Sequence, residues 1–178
     1  MKIPDLLTQA LQTIFQEGEM HEKRKGEETP DFYLSENFLE QSELISYCDH
    51  KFLNSITPNN ENASDIHGLN EFIHELGFKL ATNKIAGCFF YPLNGFMGWH
   101  TNYSDKDWRI YIVNSLKGDS FFRYKKDDKI VTEYDPVGWS YRAFYVGDAS
   151  DPYWHCVNGG SGRYSIGFRL KKLKDTLK

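Results

Sequence analysis

The second half of this chain is written in short β-branched and aromatic runs, and that texture limits the folds it can reach. From Lys84 onward the runs IAGCFFY, WRIYIVN, SFFRY, KIVTEY, WSYRAFYV, YWHCV and RYSIGFRL follow one another, separated by Gly, Asp, Asn and Pro. Many short strands at this spacing predict a sandwich or barrel. No helix-length periodic segment interrupts them, which argues against a parallel βαβ sheet. Lys125 to Asp128 (KKDD) reads as the turn of a hairpin.

The first part of the chain has a different period. Ile3, Leu6, Leu7, Ala10, Leu11, Ile14 and Phe15 recur at three- and four-residue steps, one apolar face of an amphipathic helix. Residues 17–30 (EGEMHEKRKGEETP) are polar and charged and read as an exposed loop. A second helix is expected from near Ser35, a good N-cap, with Phe38, Leu39, Leu44, Ile45, Cys48, Phe52 and Leu53 on its core face. A short helix from Leu69 to Leu76 stops at Gly77. The expected organisation is a single domain, with residues 1–80 as a helical support packed on residues 81–178, an antiparallel jelly roll.

Composition narrows the partners. The formal net charge is −4 and the basic residues are dispersed, so nucleic acid is not indicated. No apolar run is long enough to span a membrane and no secretion signal is evident. Cys48, Cys88 and Cys156 form neither a zinc pattern nor a disulfide framework, and reduced thiols in a cytoplasmic protein are the simplest reading.

Three short segments carry the chemistry: GWHTN at 98–102, WH at 154–155 and GRYSIGF at 162–168. In extended chain, residues two apart share a face, so His100 projects with Asn102 and Arg163 with Ser165. His21, His50, His67 and His74 fit no such pattern. The tryptophans Trp99, Trp108, Trp139 and Trp154 are expected to pack rather than to stack on a substrate.

With this order of residues, positions 89–170 resemble the 2-oxoglutarate/Fe(II)-dependent oxygenases, whose pattern is His-x-Asp, a distant His, then Arg-x-Ser on the last strand. The resemblance implies a double-stranded β-helix. It also implies a dioxygenase, usually a hydroxylase, using Fe(II), 2-oxoglutarate and O2. His100 and His155 would be metal ligands, because such enzymes hold iron on one face with two imidazoles and a carboxylate and leave positions for cosubstrate and oxygen. Arg163 would receive the far carboxylate of 2-oxoglutarate, Ser165 would add a hydroxyl, and Tyr111 is a further contact. Arg169 shares the parity of Arg163 and is the fallback.

The third corner departs from the pattern, with Asn102 where the family has Asp. An amide oxygen can coordinate a hard cation but brings no negative charge. Four arrangements follow: Asn102 ligates through its carbonyl oxygen; Asp105 supplies the carboxylate; water or an exogenous anion fills the position; or metal chemistry is lost and the fold remains. The last of these describes a non-catalytic jelly-roll module that binds a ligand or a protein. The prime substrate is not legible in the sequence.

Overall fold

The computed structural model describes residues 1–26, 29–45, 50–102 and 106–173. Helix α1 (Asp5–Glu17) forms as its period requires and buries Leu7, Leu11 and Phe15. Leu6, expected on the same face, is exposed. Strand β1 (Glu19–Lys25) lies where an exposed loop was expected. Its side chains are nearly all exposed, as a charged segment's should be, but its backbone pairs antiparallel with β2 (Lys51–Thr57). An edge strand needs only backbone partners, and charged side chains there discourage further pairing.

Helices α2 (Pro30–Tyr33) and α3 (Glu36–Ile45) follow β1. Ser35 caps α3 as expected, its Oγ accepting from the Phe38 N–H at 3.1 Å. The helix does not reach Leu53; Phe52 and Leu53 belong to β2. The helical reading of the first 80 residues is therefore corrected by two strands. Helix α4 (Leu69–Glu75) ends at Leu76, and Gly77 adopts φ +83°, a left-handed terminus that favours glycine.

Eight barrel strands follow: β3 (Phe78–Tyr91), β4 (Phe96–His100), β5 (Trp108–Ser115), β6 (Phe121–Lys126), β7 (Lys129–Tyr134), β8 (Gly138–Tyr145), β9 (His155–Asn158) and β10 (Arg163–Lys172). One curled sheet runs β7-β6-β9-β4-β2-β3-β10-β5-β8, and every strand pairing in it is antiparallel. Counting barrel strands alone, β3-β10-β5-β8 is the order first-eighth-third-sixth, and β4-β9-β6-β7 is second-seventh-fourth-fifth. This is a double-stranded β-helix, a jelly roll of two facing sheets. Asp127 and Asp128 form the β6–β7 turn at φ 48° and 55°, as a two-residue hairpin requires. Among the described residues, no helix is long and apolar enough to cross a membrane.

The apolar residues divide into three clusters with distinct duties. On the outer face of the first sheet, Ile110, Ile112, Ile166, Phe168 and Leu170 pack against α1 and α4. On the outer face of the second, Trp99, Trp154 and Cys156 pack against Tyr33, Leu34, Phe38 and Leu39 of the α2–α3 region. Between the sheets lie Leu53, Tyr91, Phe122, Phe144, Val146 and Val157. Because strand side chains alternate, packing Ile166 and Phe168 outward turns Arg163, Ser165 and Gly167 inward.

Candidate metal and anion site between the sheets

His100 ends β4 and His155 opens β9, and the two are direct register partners. Their ring centres are 4.1 Å apart. A bulge makes this possible. Between the pairs Met97↔Val157 and His100↔His155, β4 carries one residue more than β9. Met97 and His100, three apart and so on opposite faces of a regular strand, both line the inner cavity.

Both imidazoles are oriented by their own strands. His100 Nδ1–H donates to Gly98 O at 2.7 Å, and His155 Nδ1–H donates to Tyr153 O at 2.9 Å. Such bonds fix the tautomer and leave the lone pair on Nε2, the arrangement second-shell carbonyls give metal-binding histidines. His155 is buried, and its pKa is held well below the ordinary value by that burial, then by the charge of His100, with Arg109 adding to the effect. It is a neutral imidazole at physiological pH. Asn102 reaches the same pair, its side-chain amide lying 3.3 Å from His155 Nε2. Beside it, Thr101 Oγ1 is buried without a hydrogen-bond partner.

Arg163, Ser165 and Tyr111 line the same cavity as the two histidines. Arg163 and Ser165 are each 2% exposed, set on alternate positions of β10. Tyr111 lies over Gly167, its register partner. A β-carbon there would meet the Tyr111 ring at 2.5 Å, so only glycine admits this ring. Burial pushes the Tyr111 phenol above its ordinary pKa, with Arg109 pulling the other way. The cavity is small, about 20 Å³, room for about one water molecule. Phe89, Met97 and Phe122 close it.

Two aspartates not singled out in the sequence organise the charges. Asp135 is buried and accepts from Arg163 Nε at 2.9 Å, from an Arg142 Nη at 2.7 Å and from Ser120 Oγ at 2.8 Å. Asp107 bridges Arg109 (3.2 Å) and Arg169. The fallback Arg169 is thus engaged at Asp107, outside the histidine cavity. Of these four arginines Arg163 lines the histidine cavity, while Arg142 lines a different one. Arg142 Nε and Nη1 are buried with no partner, and each such donor costs about 1–3 kcal/mol. The sequence held one signal for Arg142, a charge inside the aromatic run WSYRAFYV. Asp135 had none beyond its place before a proline.

Among the described residues, no group of three His, Cys, Asp or Glu side chains is placed to hold a metal. The assembled nitrogen and oxygen donors are His100, His155 and Asn102; Asp105 lies outside the described residues.

No protein-family model matches the chain, and no curated protein matches it. Among solved structures it is similar to a prolyl-4-hydroxylase from Pseudomonas putida, at 14% identity over 96% of this chain and 100% of that one, with TM-score 0.41. It is also similar to an oxidoreductase of the 2OG-Fe(II) oxygenase family from Burkholderia pseudomallei, at 9% identity over 96% and 93%, with TM-score 0.41. An oxalate oxidase is similar at 12% identity and TM-score 0.35; this chain matches over 71% of its own length and spans about half of that protein (51%). The assignment of the fold rests on the strand order above.

Proposed function

We propose that this chain is an Fe(II)- and 2-oxoglutarate-dependent dioxygenase that hydroxylates its prime substrate. The observation that carries the reading is one cavity. It gathers two carbonyl-tethered imidazoles with a buried arginine, a buried serine and a tyrosine.

The donor set suits a borderline divalent cation such as Fe(II), for which neutral imidazoles are good ligands. His100 and His155 would hold the metal through Nε2, and Asn102 would turn its amide oxygen toward it, giving up its contact with His155. The cosubstrate, 2-oxoglutarate, is an anion, and Arg163 is the guanidinium that lines the cavity. Arg163 and Ser165 would receive its far carboxylate, with Tyr111 a further contact. Iron and 2-oxoglutarate, once bound, supply the oxidising power for hydroxylation by O2. The chain contributes orientation through the Gly98 and Tyr153 carbonyls, a charge frame through Asp135, and a dry aromatic enclosure. Admitting 2-oxoglutarate requires the side chains that close the cavity, Met97 and Phe122 among them, to move.

Anaerobic addition of Fe(II) and 2-oxoglutarate tests the reading. A visible charge-transfer band is expected, weakened in His155→Ala and Arg163→Gln. Its absence at high concentrations of both sinks the proposal. One observation favours the second reading, a non-catalytic binding module: Arg163 already meets a carboxylate, that of Asp135. That reading expects no band and no metal affinity.

A further inference from the structure

A second cavity adjoins the histidine site. It is a groove of about 510 Å³ between the β6–β7 hairpin and β8, the two edges of the curled sheet. Phe122, Phe144 and Tyr153 line it. The same three rings lie 5.3, 5.4 and 5.6 Å from the His155 ring, centre to centre. Groove and metal site are thus separated by a wall one aromatic ring thick.

Arg142 also lines this groove. Its guanidinium stacks on Phe122 at 4.6 Å and one Nη is held by Asp135, which fixes its position. Nε and Nη1 stay buried and unpartnered. Stacking engages the face of a guanidinium, not the N–H groups in its plane, so Nε and Nη1 still lack an acceptor. Both are closed to solvent, and a ligand in the groove meets them only when a covering side chain shifts. A charged acceptor makes the stronger bond to such a cation. The groove sets the charge of that acceptor. Arg142, Lys125 and Lys126 are matched by Glu133, Asp127 and Asp151, so the groove as a whole has no net charge and its attraction for an anion is local to Arg142, enough for one carboxylate.

We infer that this groove is a subsite for an organic monocarboxylate, with the carboxylate on Arg142 and the apolar body against Phe144 and Tyr153. As a substrate subsite it rests on the dioxygenase reading above; as a binding site it does not. A ligand anchored there presents its apolar end to the aromatic wall and, across it, to His155.

The test uses the full chain without added metal and 4-fluorobenzoate as probe, followed by fluorine NMR. The protein is expected to broaden and shift the probe signal at low-millimolar concentration. The neutral isostere 4-fluorobenzamide should bind at least tenfold more weakly, and so should 4-fluorobenzoate to Arg142→Gln. Because that variant also loosens Asp135, a second reading is taken on the unmutated protein labelled with nitrogen-15. Benzoate should move an arginine Nε–H resonance downfield, and benzamide should not. Equal binding of acid and amide, undiminished binding to a folded Arg142→Gln, or no binding by the unmutated protein overturns the inference. Since no iron is present, loss of the charge-transfer band and loss of probe binding are separate failures.

Discussion

Arg163 donates from Nε to Asp135 Oδ2 at 2.9 Å, and both side chains are buried. The carboxylate that Arg163 meets within the chain is therefore its own, not a cosubstrate's. Asp135 also holds Arg142 and accepts from Ser120, so one buried carboxylate fixes two guanidinium groups that face different cavities. The triad of Arg163, Arg142 and Asp135 keeps one net positive charge inside the barrel.

Replacing Asp135 should be severe. Asp135→Asn leaves two buried guanidinium groups close together without a counter-charge, and breaking a buried pair in this way costs about 3–5 kcal/mol. A urea melt should show the midpoint falling with an unchanged slope. Arg142→Met in the same background should recover part of the loss, since it removes one of the stranded charges. No recovery means that the repulsion is not the cause.

Asn102→Asp places a negative charge beside the two imidazoles. Tighter binding of Co(II), read from its visible absorption, is expected by about tenfold or more, or ~1.4 kcal/mol. Unchanged affinity, combined with loss in Asp105→Ala, would assign the third corner to Asp105 instead.

The buried His155 makes the metal-free protein sensitive to acid. Its folded pKa lies below the ordinary imidazole value, so the unfolded chain binds more protons between the two. Stability is full above pH ~6.5 and falls as the pH drops through that value, by up to about 1.4 kcal/mol per pH unit, until the folded pKa is reached. Melting temperatures between pH 7.5 and 5.5 should fall more steeply in the unmutated chain than in His155→Gln. Parallel slopes would place the acid sensitivity elsewhere.

Gly167→Ala probes the seat of Tyr111. A β-carbon would stand 2.5 Å from the ring, so the ring must leave its position over β10. Overpacking of this kind costs about 1–3 kcal/mol. In anaerobic titrations the variant should need more 2-oxoglutarate to reach the same charge-transfer absorbance. An unchanged titration would show that Tyr111 does not contribute to the cosubstrate site.

The local signals in the sequence were of two kinds. Short β-branched and aromatic runs bounded by turn residues located seven of the eight barrel strands, all but β4, because such side chains fit a half-buried pleated surface. Three- and four-residue recurrence located α1, because one face of a surface helix is buried. Both signals fail where side-chain burial is weak. β1 shows only a charged segment, and β2 continues an apolar spacing that also fits α3. Only pairing with each other, and of β2 with β4 and β3, makes them strands.

His100, Asn102, Tyr111, His155, Arg163 and Ser165 could be picked out from residue type, spacing and family resemblance, since a short motif carries its own parity. Their meeting in one place could not be. It depends on the β4 bulge that turns both Met97 and His100 inward, and on a strand order that makes β4 and β9 neighbours across 55 positions of sequence. Asp135 was illegible for the same reason, and Arg142 showed only as a charge inside an aromatic run. A buried ion network is defined by which strands lie side by side, and adjacency is settled by the packing of two whole sheets, not by any local stretch of chain.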